Sequence, residues 1–263
     1  MTALIAIAVL VGSCLVTLGV IALVRLLVPY ELRGHEERRG WVFAFCGVLY
    51  ALVIGFVLAY SLNGYNAASE YATQEADAVN TLSRTATLFD AEDRDTVGHE
   101  LICYARAVIY DEWPLMAEGR RSVLARSATD RLFQSFGRIA RYDVGQPAVL
   151  QSALDGVRTL GEARSSRLLQ SRQTLPAIFW AFMIGGGLIL VFYSAVLAGQ
   201  ERRLAQFLFI APVTILLVSS IYLVAIFERP FDDPSSLQPQ AMQAALTSVR
   251  EFVPDPRAAR PCP

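Results

Sequence analysis

The chain has 263 residues, 54% of them hydrophobic, with 23 basic residues set against 24 acidic ones. A charge this close to neutral leaves no basic surface for a nucleic-acid partner. The four cysteines, Cys14, Cys46, Cys103 and Cys262, are scattered and form no C-x-x-C pair, so neither a disulfide framework nor a zinc site is expected.

The first predicted element is an apolar run, Ala3–Val24, free of Asp, Glu, Lys and Arg; Trp41–Leu62, Ala177–Ala198 and Leu204–Phe227 share that property. Each has about the ~20 residues that a helix needs to cross ~30 Å of hydrocarbon. In lipid, backbone N–H and C=O groups must pair within their own segment, so runs of this length are helices. The prediction is an all-α polytopic membrane protein with four transmembrane helices in a two-plus-two arrangement. Val11-Gly12-Ser13-Cys14 has the form of a lipoprotein cleavage box, but Met1-Thr2 carries no positive charge and the apolar run continues past Cys14 to Val24. A cleaved signal ends its apolar region at the cleavage site, so an uncleaved span is expected.

Span one ends at Arg25, close enough to the boundary to snorkel, and Pro29 stops the helix. The loop Tyr30–Gly40 sets Arg33, Arg38 and Arg39 against Glu31, Glu36 and Glu37, and Trp41 opens span two as an interfacial aromatic. In span two Gly47, Ala51, Gly55 and Ala59 recur every four residues, a spacing that lets helix backbones approach closely. Beside them Val48, Leu52, Phe56 and Tyr60 form a bulky ladder. Such a ladder either faces a central axis, where a hydrophobic constriction gates by dewetting, or packs ordinarily against lipid and core. Spacing alone favours packing. On the packing reading Gly55 faces a neighbouring helix, and Gly55→Leu should disturb assembly more than Val57→Leu.

The region Asn63–Thr174 has 13 Arg and 15 acidic residues, the composition of a soluble domain. Its apolar residues recur at helical spacing in three stripes: Leu101, Tyr104, Ala105, Val108 and Ile109; Val123, Leu124, Ala128, Leu132, Phe136 and Ile139; and Val149, Leu150, Leu154, Val157, Leu160 and Leu168. Four soluble helices are expected, the first continuous with span two and the last leading into span three. Asp90, Glu92, Asp93 and Asp95 read as a helix start, where acids favour the dipole, and lack the Gly and spaced ligands of an EF-hand. Gly185-Gly186-Gly187 and Pro212 read as packing features of spans three and four. The short link Gly199–Arg203, with Glu201, Arg202 and Arg203, makes those spans an antiparallel hairpin. After it come Asp232 and Asp233 in a post-span acidic segment, an amphipathic stretch through Phe252, and a Pro- and Arg-rich tail, Pro254–Pro263, expected to be disordered. The organisation is therefore a hairpin over 1–62, a soluble helical domain over 63–174, a hairpin over 175–227 and a C-terminal segment over 228–263.

The span cores lack Asp, Glu, His and Lys, which argues against a proton-coupled transporter. His35 and His99 match no ligand or triad spacing and read as surface residues. No P-loop or nucleophile-elbow motif occurs. No catalytic residue, metal or cofactor is expected, nor an enzyme.

Several segments carry a resemblance to a known family. They are Phe45-Cys46-Gly47-Val48-Leu49-Tyr50-Ala51-Leu52-Val53-Ile54-Gly55-Phe56, Glu70 to Ala76, and Tyr104-Ala105-Arg106-Ala107-Val108-Ile109-Tyr110-Asp111-Glu112-Trp113-Pro114. To these add Ser165-Ser166-Arg167-Leu168-Leu169, Leu175-Pro176 and Arg229-Pro230-Phe231. Together they resemble the bacterial bestrophin-like membrane proteins of unknown function, distantly similar to the bestrophin anion channels. The resemblance implies a pentameric homo-oligomer whose second span lines the pore, with Gly55-Phe56 matching the bestrophin Gly-Phe pair and Val48, Leu52 and Phe56 at the neck. Leu52 stands where bestrophins have Phe. Only Asp232 and Asp233 follow Pro230-Phe231, where bestrophins have a calcium-holding acidic run.

The expected function is an integral protein of the bacterial cytoplasmic (inner) membrane, conducting small inorganic anions through an oligomer. The alternative is a non-conducting membrane protein that acts in sensing or protein interaction through its helical domain. The side of that domain stays open. The bestrophin resemblance places it in the cytoplasm, whereas the arginines of the two short loops place it outside.

Overall fold

Uninterrupted apolar sequence forms long helix wherever no proline or polar cluster stops it. The computed structural model describes residues 2–30, 33, 37–142, 147–172, 174–199, 202–232, 236–253 and 262. Among the described residues the regular structure is helical throughout. Four helices are long and apolar enough to cross a membrane: α1 (Thr2–Leu27), α2 (Glu37–Ala86), α7 (Ala177–Leu197) and α8 (Arg203–Glu228). Helix α2 continues without a break from the apolar second span into polar sequence, for 50 residues in all, as expected.

The chain forms two compact units, one of Met1–Gly64 with Thr174–Glu228 and one of Tyr65–Gln173 with Arg229–Pro263. In the first, α2 turns Tyr50, Ile54 and Val57 inward against Met183 and Leu190 of α7 and Val224 of α8. The Tyr50 hydroxyl donates to the Met183 carbonyl at 2.5 Å. A Cβ on Gly186 would come within 2.8 Å of the Tyr50 ring, and one on Gly187 within 3.0 Å of its hydroxyl, whereas one on Gly185 would meet nothing within 4 Å. Two of the three glycines thus make room for one tyrosine. Ile21 and Val24 of α1 pack with Val191, Ala195 and Ile210. Arg25, expected to snorkel, aims Nε and Nη2 at Oε1 of Gln206 (3.0 and 2.7 Å), and the buried Gln206 donates to the Ala195 carbonyl.

The second unit holds the polar end of α2 with α3 (Ala91–Ala107), α4 (Trp113–Ala117), α5 (Val123–Tyr142), α6 (Pro147–Gln170) and α9 (Gln240–Phe252). Asp90 is the residue before α3, and Glu92 and Asp93 lie in its first turn, so the acidic cluster is a helix start. A π turn, Val108–Glu112, joins α3 to α4. Pro114 has no N–H to donate and its ring crowds the carbonyl four residues back, which a wider turn relieves. The first apolar stripe is buried throughout. In the second, Ala128, Leu132, Phe136 and Ile139 are buried, but Val123 and Leu124 are exposed in the opening turn of α5. In the third, Val157, Leu160 and Leu168 are buried and Leu154 is exposed. Helix α9 buries Met242, Ala245, Leu246 and Val249 in the same core.

One expectation is overturned. Cys103 of α3 is disulfide-bonded to Cys262. Their sequence separation of 159 residues carries no motif, and only the fold brings them together. Asp233, His35 and the tail apart from Cys262 lie outside the described residues.

Candidate functional site

The outward surface of α2 in the first unit follows from the inward one. With Tyr50, Ile54 and Val57 in the seam, the helical period turns Val48, Leu52 and Phe56 away from it. Their exposures are 69%, 56% and 69%, with Tyr60 at 64%. Ala51, Gly55 and Ala59 are exposed beside them and Gly47 is partly so. A Cβ on Gly47 or Gly55 would meet nothing within 4 Å, so among the described residues of one protomer no helix packs against these two glycines of the small-residue ladder. Ladder and small residues lie on one uncharged outward surface of α2.

A second cluster lies in the other unit, where charge is buried. Glu75 of α2 sits on a face otherwise lined by Ala68, Ala76, Val79 and Leu82, all buried. Arg167 of α6 follows Leu160 by two turns and is buried as well. Its Nε and Nη2 donate to Glu75, and Nη2 also donates to Glu112 Oε2 at 2.8 Å. Glu112, on the π turn, is gripped a second time by Arg164, whose Nη2 reaches Oε1 at 2.6 Å and Nε reaches Oε2 at 3.1 Å. The Tyr104 hydroxyl donates to Glu75 Oε1 at 2.5 Å. Arg167 stacks over the Trp113 ring at 5.2 Å, Trp113 donates to the Leu237 carbonyl at 2.7 Å, and Phe231 meets the Trp113 ring edge-on at 5.5 Å.

Two carboxylates and two guanidiniums cancel. Burial pushes the Glu112 carboxyl up, but the Arg164 hydrogen bonds and the Arg167 charge outweigh it and hold the group below the usual carboxylate range. Burial alone would lower the Arg167 guanidinium, and the Glu75 and Glu112 charges raise it instead. Burial, followed by the Glu75 charge, pushes the Tyr104 hydroxyl well up. Every charge has a partner, so the cluster is a structural clasp with no free acid, base or nucleophile to offer.

Four of the six segments that carry the sequence resemblance meet here, through Glu75, Tyr104 with Glu112 and Trp113, Arg167, and Phe231. None of these was singled out as a site. The available signal was a charged residue placed on an apolar stripe, Glu75 among alanines and leucine and Arg167 between Leu160 and Leu168 in register. Asp232 lies 3.6 Å from Arg229. No group of His, Cys, Asp and Glu that could hold a metal occurs among the described residues.

The model of the Bestrophin-like domain matches residues 11–242. The chain belongs to the bestrophin-like family. A crystal structure of a bacterial bestrophin homolog from Klebsiella pneumoniae superposes with a TM-score of 0.75 at 11% identity, covering 95% of this chain and 98% of that one. A variant of that homolog gives 0.74 at 12% identity, covering 94% and 98%. A crystal structure of a membrane protein variant gives 0.73 at 11%, also covering 94% and 98%. At such identities the shared property is the fold. No protein of curated function matches this bestrophin-like chain. Family and apolar helices together make it an integral membrane protein.

Proposed function

We propose that this bestrophin-like protein is a homo-oligomeric channel for small inorganic anions in the bacterial cytoplasmic membrane, a pentamer by analogy with bestrophins. In this reading the four apolar helices cross in a two-plus-two arrangement, with the soluble helical domain inserted between spans two and three. Copies of α2 surround the axis, Val48, Leu52 and Phe56 form the neck, and Gly47, Ala51, Gly55 and Ala59 let neighbouring copies approach. The observation that carries the reading is the uncharged α2 ladder, which is exposed in the protomer of a family whose name-giving members are channels. A neck without charge offers an ion no binding partner, so it conducts by being wet or by opening.

Planar-bilayer recording tests this. The double variant Leu52→Ala with Phe56→Ala should raise conductance or abolish gating relative to wild type. Selectivity should change less, because no charge is altered. Absence of current from both proteins, across a range of anions and cations, would refute the channel. The sensing or interaction role of the helical domain would then take its place.

A further inference from the structure

Packing and a covalent bond both fasten the C-terminal segment to the second unit. Helix α9 buries Met242, Leu246 and Val249, and Val253 just after it is buried as well. Val253 lies so close to α3 that a Cβ on Gly98 would come within 2.4 Å of its side chain. Packing therefore holds the chain as far as Val253 without a covalent link. Further on, Cys262 is joined to Cys103 of α3 by the disulfide.

The two sulfurs differ in their surroundings. Cys103 is buried and Cys262 is exposed. One turn back on α3, His99 brings Nε2 to 3.6 Å from Cys103 Sγ, where an N–H on that nitrogen donates to sulfur. Thiol–disulfide exchange needs an accessible sulfur to attack, and it runs faster when the departing thiolate is stabilised. Both needs are met: Cys262 is open to solvent, and Cys103 departs beside a hydrogen-bond donor. Exposed disulfides are the labile, regulatory or catalytic ones, and those that form in a reducing compartment are transient or redox-sensing.

We propose that Cys103–Cys262 is a reversible redox link that ties the chain end to α3 and lets it go, with a thioredoxin-class dithiol protein as its reductant. One thiolate of the reductant attacks Cys262 Sγ. The bond between Cys262 and Cys103 breaks, and Cys103 leaves as a thiolate that accepts the His99 N–H until it takes up a proton. The reductant's second thiolate then attacks its own sulfur in the mixed disulfide and displaces Cys262, which is protonated in turn. The reductant leaves as a disulfide, having given up two electrons and two protons. Exchange with a small disulfide such as oxidised glutathione runs the other way and restores the link. Because the packing up to Val253 does not involve the sulfurs, the helical core stays folded in both states. His99 is a positioning residue that acts through the leaving sulfur. Nothing in this link depends on conduction.

The full-length protein in detergent is incubated with thioredoxin, its reductase and NADPH, then quenched with acid, alkylated and digested for mass spectrometry. Cys103 and Cys262 should pass from a linked peptide to alkylated thiols with the helical circular dichroism unchanged, and oxidised glutathione should restore the linked peptide. Reduction only in denaturant, or loss of helicity on reduction, makes the bond a static staple and overturns the proposal. Recovery of both cysteines as thiols after oxidised glutathione overturns it as well. A thioredoxin without its second cysteine should be trapped on Cys262, and capture on Cys103 would overturn the direction of attack. His99→Leu should slow reduction several-fold, while His99→Gln, which keeps an N–H donor, should recover much of the rate. Equal rates for wild type and His99→Leu would overturn the role of His99; should that variant fail to fold, the trapped sulfur decides the direction of attack by itself.

Discussion

Arg167 is the residue on which most contacts converge. With both Glu75 and Glu112 depending on it, truncation to Met would leave carboxylates buried without their partner. Removing one member of a buried ion pair costs about 3–5 kcal/mol, so Arg167→Met should lower the unfolding midpoint of the detergent-purified protein sharply. By contrast Arg158→Ala, which breaks an exposed i,i+4 pair with Glu162, should leave it nearly unchanged. Glu112 supplies a pH signature. Its folded pKa lies below the unfolded value of about 4.3. Below that value the unfolded chain takes up a proton that the folded one still refuses, so the unfolded state binds more protons and stability falls as pH falls. The contribution is complete above the unfolded value and is lost as pH drops through the lower folded one. Wild type should therefore lose stability on acidification from neutral pH towards pH ~4 and below more steeply than Glu112→Gln. Equal slopes in thermal scans across that range would contradict the assignment. These residues were visible in the sequence only as charges interrupting apolar stripes. Which acid meets which arginine depends on a π turn and on chain segments far apart, and no local pattern specifies either.

At the scale of elements, α7 and α2 are coupled through Tyr50. Alanine at Gly186 would drive a Cβ into a ring held by its own hydrogen bond to Met183. Overpacking of this kind costs about 1–3 kcal/mol. Gly185→Ala, facing open space, should be neutral or gain about 0.5–1 kcal/mol from helix propensity. Thermal unfolding of the two variants separates them, and similar midpoints would remove the proposed reason for the glycines. The helices themselves were readable from sequence because charge-free length and 3.6-residue stripes depend on local composition alone. The glycine triplet was readable as packing, but which glycine mattered was not, since that depends on a tyrosine 136 residues before Gly186. The exposed Val123 and Leu124 mark the same limit: a stripe predicts a face, while the neighbour that covers each turn is set by tertiary structure.

For the whole molecule, the decisive question is assembly. Gly55 has open space around it in one protomer, so Gly55→Leu should fold but shift the detergent-solubilised protein to smaller species in size-exclusion chromatography. Val57 is no neutral control, because it is buried in the seam within the protomer. Leu49→Ala, on the exposed surface, serves instead. An unchanged elution profile for Gly55→Leu would leave the small-residue ladder without a role between copies. The disulfide belongs to this scale as well. Cysteines 159 residues apart are joined by the packing of a whole unit, which is why composition and spacing pointed away from a bridge.

The buried clasp also sets how the helical domain meets its ionic surroundings. Dissolved ions weaken attractions between charges exposed to solvent over distances of about 10 Å at 0.1 M salt, but act far less on pairs closed off from water. Glu75 and Arg167 are almost wholly closed off. A domain clasped in this way keeps its strength when the electrolyte around it swings, which suits a protein proposed to pass ions.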